Sequence, residues 1–172
     1  MKKYFAIFFL LICSLLNSCA EPPAAMIRNV LDIEKEVYPD KVVAVTDAGK
    51  RYGEDFRNTF IDKLVELTQH SHKTVAIMTY VEFVRSPYNN PELRSSCSDS
   101  LFVFIRVHSS KSGEWGVYNV KYLMEVKHLN QEPFLVQEIS LGVGAWLVDS
   151  VQLRGNKLAN TVFEELDKRN IL

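Results

Sequence analysis

Between Val117 and Lys127 the chain alternates with a period of two. Tyr118, Val120, Tyr122, Met124 and Val126 fall on one side, and Asn119, Lys121, Glu125 and Lys127 on the other. Successive strand side chains point to opposite faces, so this is an antiparallel strand with one face on a core and one toward water. Such a strand needs neighbours, and the flanking sequence offers them. Residues 101–108 put Leu101, Val103, Ile105 and Val107 on one face, with Phe102, Phe104, Arg106 and His108 on the other. Residues 109–114 read as a hairpin loop, 130–133 as a turn, and 134–147 as a strand that pairs back. Gly142 and Gly144 share one face of that last strand, which marks a bulge, a bend or close approach by another element.

Helical spacing appears in three places. Over 54–69, Phe56, Phe60, Ile61, Leu64 and Leu67 form one stripe while Arg57, Asp62, Lys63 and Glu66 fall elsewhere. Over 151–170, Leu158, Val162, Phe163 and Leu166 do the same. Ile27, Val30, Leu31, Glu34 and Val37 predict a short helix over 26–37, closed by Pro39. The compact apolar run 41–46 predicts a buried strand, and 74–84 a second one. Residues 86–100 hold Pro87, Asn89, Asn90, Pro91 and several serines, the composition of a long loop. The order is helix, strand, helix, strand, loop, three-strand meander, helix. It implies an α+β two-layer sandwich: a mixed four- to five-stranded sheet covered on one face by two amphipathic helices.

The first eighteen residues have a different character. Lys2 and Lys3 precede an almost wholly apolar run over 4–16, the length of a secretory core and too short to span a bilayer. It ends in Leu16-Asn17-Ser18-Cys19. This resembles the lipobox of bacterial lipoproteins. The resemblance implies a signal peptide over 1–18, cleavage after Ser18 and lipidation of Cys19. Ile12 before Cys13 is bulky where a small residue is needed. Ala20, which is not Asp, implies sorting to the periplasmic face of the outer membrane. Residues 19–25, with Pro22 and Pro23, form a lipidated tether, and 26–172 a single α+β domain. Stable attachment requires more than one acyl chain, which a lipoprotein cysteine carries.

Loss of the two leader lysines takes the net charge from −1 to −3. That balance gives no electrostatic footprint for nucleic acid. Of three cysteines, one lies in the leader and one is the lipid acceptor, leaving Cys97 either buried or paired with another chain. His70 and His72 lack companion ligands at metal spacing and read as a polar helix end. Cys97 with His108 or His128 has no signature of a nucleophile and base. Gly142 and Gly144 open no helix, and 49–53 lacks the lysine and hydroxyl of a phosphate loop. No catalytic residue, metal site or cofactor is expected. Trp115, Tyr118 and Trp146 are the candidate partner surface, because aromatics with polar rims mark interfaces.

With its lipobox and element order, the chain resembles small accessory lipoproteins of the Gram-negative envelope. Over 41–172 the order is similar to the lipopolysaccharide-assembly lipoprotein and to the penicillin-binding-protein activator, itself like the amino-terminal domain of the Tol translocation protein. The resemblance implies a non-enzymatic binding or assembly module for another envelope component. A periplasmic binder of a small amphipathic or lipidic ligand is the alternative. It carries no partner-contact residue across, because no motif matches residue for residue.

Overall fold

The computed structural model describes residues 25–33, 37–50, 52–89, 99–113, 116–142 and 151–172. Six strands form one mixed sheet: β1 (Met26–Asp32), β2 (Lys41–Thr46), β3 (Thr74–Thr79), β4 (Ser100–Gly113), β5 (Gly116–His128) and β6 (Leu135–Gly142). Among the described residues three α-helices accompany them: α1 (Glu54–Thr68), α2 (Tyr80–Arg85) and α3 (Val151–Asp167). The spatial order is β1-β6-β5-β4-β2-β3. β2 runs parallel to both β3 and β4, and every other pairing is antiparallel.

The expected meander is present, and its alternation sets the layers. Val120, Tyr122, Met124 and Val126 are fully buried under α1 and α3, beside Leu101, Val103 and Ile105 of β4. Phe56, Phe60 and Leu64 of α1 and Leu158, Val162 and Leu166 of α3 complete that core. The stripes expected over 54–69 and 151–170 therefore face the sheet. Gly155 lets the two helices approach: a Cβ there would lie 3.1 Å from the Phe56 carbonyl oxygen and 3.1 Å from Thr59.

Four expectations change. Residues 26–32 form an edge strand, so the sheet has six strands. The apolar spacing that suggested a helix comes from a bulge between Asn29 and Leu31, where one residue is left out of register with β6. One inserted residue breaks the period of two and imitates a spacing of three to four. A hydrogen-bonded network holds this edge to the sheet and to α3. Gln137 donates to Asn29 Oδ1 at 2.8 Å and to Glu165 at 2.6 Å, and Arg169 donates to Asp32 at 2.8 Å and to Glu165 at 2.7 Å.

Second, the apolar run 74–84 is split. β3 stops at Thr79, whose hydroxyl accepts from the Glu82 backbone N–H at 3.2 Å while the Glu82 carboxylate accepts from Thr79 N–H at 2.7 Å. This capping box starts α2. Third, 109–113 continue β4 as paired strand rather than loop, with register shifts between Val107 and Ser109 and between Lys111 and Ser112. Fourth, there are two layers of helix. Val43, Val45, Phe83 and Phe102 form a second small core on the opposite face, with Tyr88 and Phe104 against it. Topology explains the third helix. From β2 the chain crosses to β3 on one side, then returns past β2 to β4 on the other. Two crossovers of the same hand in opposite directions must use opposite faces.

The first part of the expected 86–100 loop is a short 3-10 turn, Pro87–Asn89, with Tyr88 edge-on to Phe102 at 5.5 Å. Residues 90–98 lie outside the described residues, as do 143–150 with Gly144.

Candidate functional site

β2 is where the direction of winding reverses. In open α/β sheets, such a point at the carboxyl ends of the strands leaves a crevice. One is present here, about 250 Å³, between the end of β2, the start of α1 and the end of β3. The local sequence builds it. Thr46 Oγ1 accepts from Ala48 N–H at 2.9 Å and Asp47 Oδ1 from Val107 N–H at 2.8 Å, which fixes the turn after β2. Gly53 then takes a φ of 89°, a left-handed conformation that suits glycine, before α1 begins. Gly49 is needed for a different reason: a Cβ there would sit 2.6 Å from Arg57 Cβ. The rim carries Lys50 and Arg57, with Arg57 paired to Glu54 at 3.3 Å, and the outer wall is Tyr80 and Val81. Thr46 Oγ1 and Asp47 Oδ1 are engaged in the two bonds that fix the turn.

The larger depression lies on the second face of the sheet beside α2. It encloses about 600 Å³ between Phe83, Phe104, Leu129 and the 130–133 turn. Lys127 Nζ stands 5.2 Å from the centre of the Phe104 ring, and Arg106 pairs with Glu125 at 2.6 Å. Asn130 turns the chain with a φ of 64°. The floor is thus aromatic and the flank is a compensated ion pair, a mixture suited to an amphipathic group rather than to a free ion.

A third cluster is buried. Tyr122, stacked on Phe56 at 6.2 Å, and Tyr52, 4.9 Å from the same ring, both turn hydroxyls inward without a hydrogen-bond partner among the described residues. The Arg154 guanidinium lies over Tyr52 at 5.2 Å. Burial raises the Tyr52 phenol, against the opposing charge of Arg154. Burial, with Tyr52 and Asp47 nearby, raises that of Tyr122 far more. Both phenols therefore keep their protons at neutral pH.

Glu165 shows the opposite balance. Burial pushes its carboxyl up, but hydrogen bonds from Gln137 and Arg169 and the charges of Arg169 and Lys168 outweigh that and leave it low. It anchors β1 to α3 and faces no cavity described above.

Cys19, Cys97, Trp115 and Trp146 lie outside the described residues, as does the side chain of Tyr118. His70 and His72 are exposed after α1, and among the described residues no group of three or more metal-ligating side chains occurs. Sequence reasoning missed two surfaces. One is the outer side of α2, where Tyr80, Val81 and Val84 are exposed; the Thr79-x-x-Glu82 box was its signal. The other is the β1 edge, where Met26, Val30 and the adjoining Ile33 are exposed.

The described fold defines the class: an α+β chain with a six-stranded mixed sheet and three helices. No protein-family model matches the sequence, and no curated protein matches it. Among solved structures, the chain is similar to the PelC dodecamer from Paraburkholderia phytofirmans. The identity is 14% and the TM-score 0.47, with 84% of this chain and 96% of that chain covered. A single-site variant of that dodecamer gives 13% identity and a TM-score of 0.46, with 83% of this chain and 95% of that one covered. No helix among the described residues is long and apolar enough to cross a membrane.

Proposed function

We propose that this chain is a lipid-anchored accessory protein of the bacterial cell envelope. It binds or helps assemble another envelope component and carries out no chemistry of its own. The observation that carries the reading is Leu16-Asn17-Ser18-Cys19 closing a basic-then-apolar leader, followed by a seven-residue tether over 19–25. The exposed Tyr80, Val81 and Val84 beside the aromatic depression supply a surface for a protein partner. Trp115, Tyr118 and Trp146 remain candidates for a second part of it.

The test has two arms. Palmitate labelling of the intact chain should be lost in Cys19→Ala, and the unlabelled protein should leave the membrane fraction. Photo-crosslinkers at Tyr80 and Val84 should then capture a discrete envelope protein that crosslinkers on the polar side of α1, at Lys63, do not. Unchanged labelling in Cys19→Ala would sink the anchor; equal capture from Lys63 would sink the α2 surface.

The depression floored by Phe104 favours a second reading, in which a small amphipathic ligand is the bound component. Its volume falls in the range of ligand pockets, about 300–1,000 Å³. It lies on the α2 face of the sheet.

A further inference from the structure

We propose that the β1 edge of the sheet rests on the phospholipid surface that holds the Cys19 lipid, an inference that rests on the lipid-anchor reading above. Among the described residues, four of the ten exposed large apolar residues lie in or directly after β1: Met26 (71% exposed), Ile27, Val30 (62%) and Ile33 (54%). Exposed apolar residues gathered along one sheet edge suit a protein or a membrane contact. Covalent reach favours the membrane. From Cys19 to Met26 the chain advances seven residues. Even fully extended these span at most ~25 Å, and a flexible chain of that length averages about 15 Å. Whatever path the tether takes, β1 is the strand closest along the chain to the bilayer.

The strand itself argues against a second strand as occupant. Adding a strand needs a regular row of backbone donors and acceptors. The bulge between Asn29 and Leu31 interrupts that row in the middle of a seven-residue strand. Bulged edges are how proteins discourage edge pairing. A lipid surface has no register to match and needs only apolar area, with cations tolerated at the headgroups. Arg28 is exposed between Met26 and Val30, and Asp32, the acid within β1, is already paired with Arg169 at 2.8 Å. The arrangement also keeps the two apolar surfaces apart. β1 and β3 are opposite edges of a six-stranded sheet, five interstrand spacings or about 24 Å across. The α2 surface lies over β2 and β4 on one face of the sheet, three to four spacings or about 14–19 Å from β1, and is not part of the β1 edge.

The test uses the full lipidated protein with Cys97→Ser, reconstituted in vesicles of phosphatidylethanolamine and phosphatidylglycerol. An environment-sensitive fluorophore is placed in turn at Met26→Cys, Val30→Cys and, as control, Val84→Cys. Acyl chains brominated near the headgroup serve as quencher. Emission from positions 26 and 30 should shift to the blue and fall to about half with brominated lipid, the response of a group at the acyl boundary, while position 84 stays unchanged. Intact mass and flotation report the anchor separately. A lipidated protein that floats, yet whose positions 26 and 30 respond no more than 84, overturns the β1 placement alone. Shielding of position 30 that grows with protein concentration and is insensitive to bromine assigns the edge to another strand and also overturns it. Absence of the lipid mass overturns the anchor reading and this inference with it.

Discussion

Among the described residues Tyr122 is the bulkiest of the fully buried side chains, and its hydroxyl finds no hydrogen-bond partner there. An unpaired buried polar group costs about 1–3 kcal/mol. Tyr122→Phe should therefore leave the fold intact and raise the unfolding free energy by up to about 1 kcal/mol in urea denaturation. A loss larger than that would show that the hydroxyl is bonded. The same residue sets an alkaline limit. Burial, then the nearby Tyr52 and Asp47, raise its phenol above the ordinary value near 10. The folded state thus keeps a proton that the unfolded chain releases. That contribution is present below about pH 10 and is lost as the pH rises further. Stability should fall between pH 9 and 11, and more gently in Tyr122→Phe; identical slopes would remove Tyr122 as the cause.

The helices meet at a point where two local effects oppose each other. Glycine inside a helix costs about 1 kcal/mol relative to alanine, so Gly155→Ala should gain that much from propensity alone. The added Cβ would meet the Phe56 carbonyl oxygen at 3.1 Å and two Thr59 side-chain atoms at 3.1 Å. Overpacking of that kind costs about 1–3 kcal/mol, and a backbone carbonyl inside α1 cannot swing away as a side-chain tip can. Packing wins: Gly155→Ala should lower the unfolding free energy by about 1 kcal/mol, and a thermal midpoint at or above that of the parent would refute the close approach. At the other edge of the sheet, the boundary between β3 and α2 depends on one cap. Thr79→Val keeps a β-branched residue in the strand but removes the hydroxyl that accepts from Glu82, at a cost of about 1 kcal/mol. Hydrogen exchange should quicken across 80–85 and not in α1; unchanged exchange would mean that Phe83, packed against Phe102 and Phe104, holds the turn alone.

Over the whole molecule, one sheet carries both cores, so strands cannot leave it independently. β4 contributes Leu101, Val103 and Ile105 to one face and Phe102 to the other. The expected consequence is a single cooperative transition for residues 24–172. Its midpoint should be the same with chelator or reductant, because the lipid cysteine is absent and Cys97 has no second thiol. A drop with chelator would revive His70 and His72 as metal ligands.

Where hydrophobic periodicity ran unbroken, the chain was readable without coordinates. The meander alternation, the stripes of α1 and α3 and the α+β class all follow from spacing, because each of those elements buries one whole face against the same core. β1 and α2 were not readable that way. The bulge at Val30 shifts the phase of β1 by one residue, and α2 is a single apolar turn whose strand-like composition is overruled by the Thr79–Glu82 cap. The depression over Phe104 and the Tyr52–Tyr122–Arg154 cluster join residues far apart in sequence, and the exposure of β1 depends on where that strand falls in the sheet. Strand order alone decides this, since the reversal at β2 settles which face each crossover covers and which strands are left at the edges.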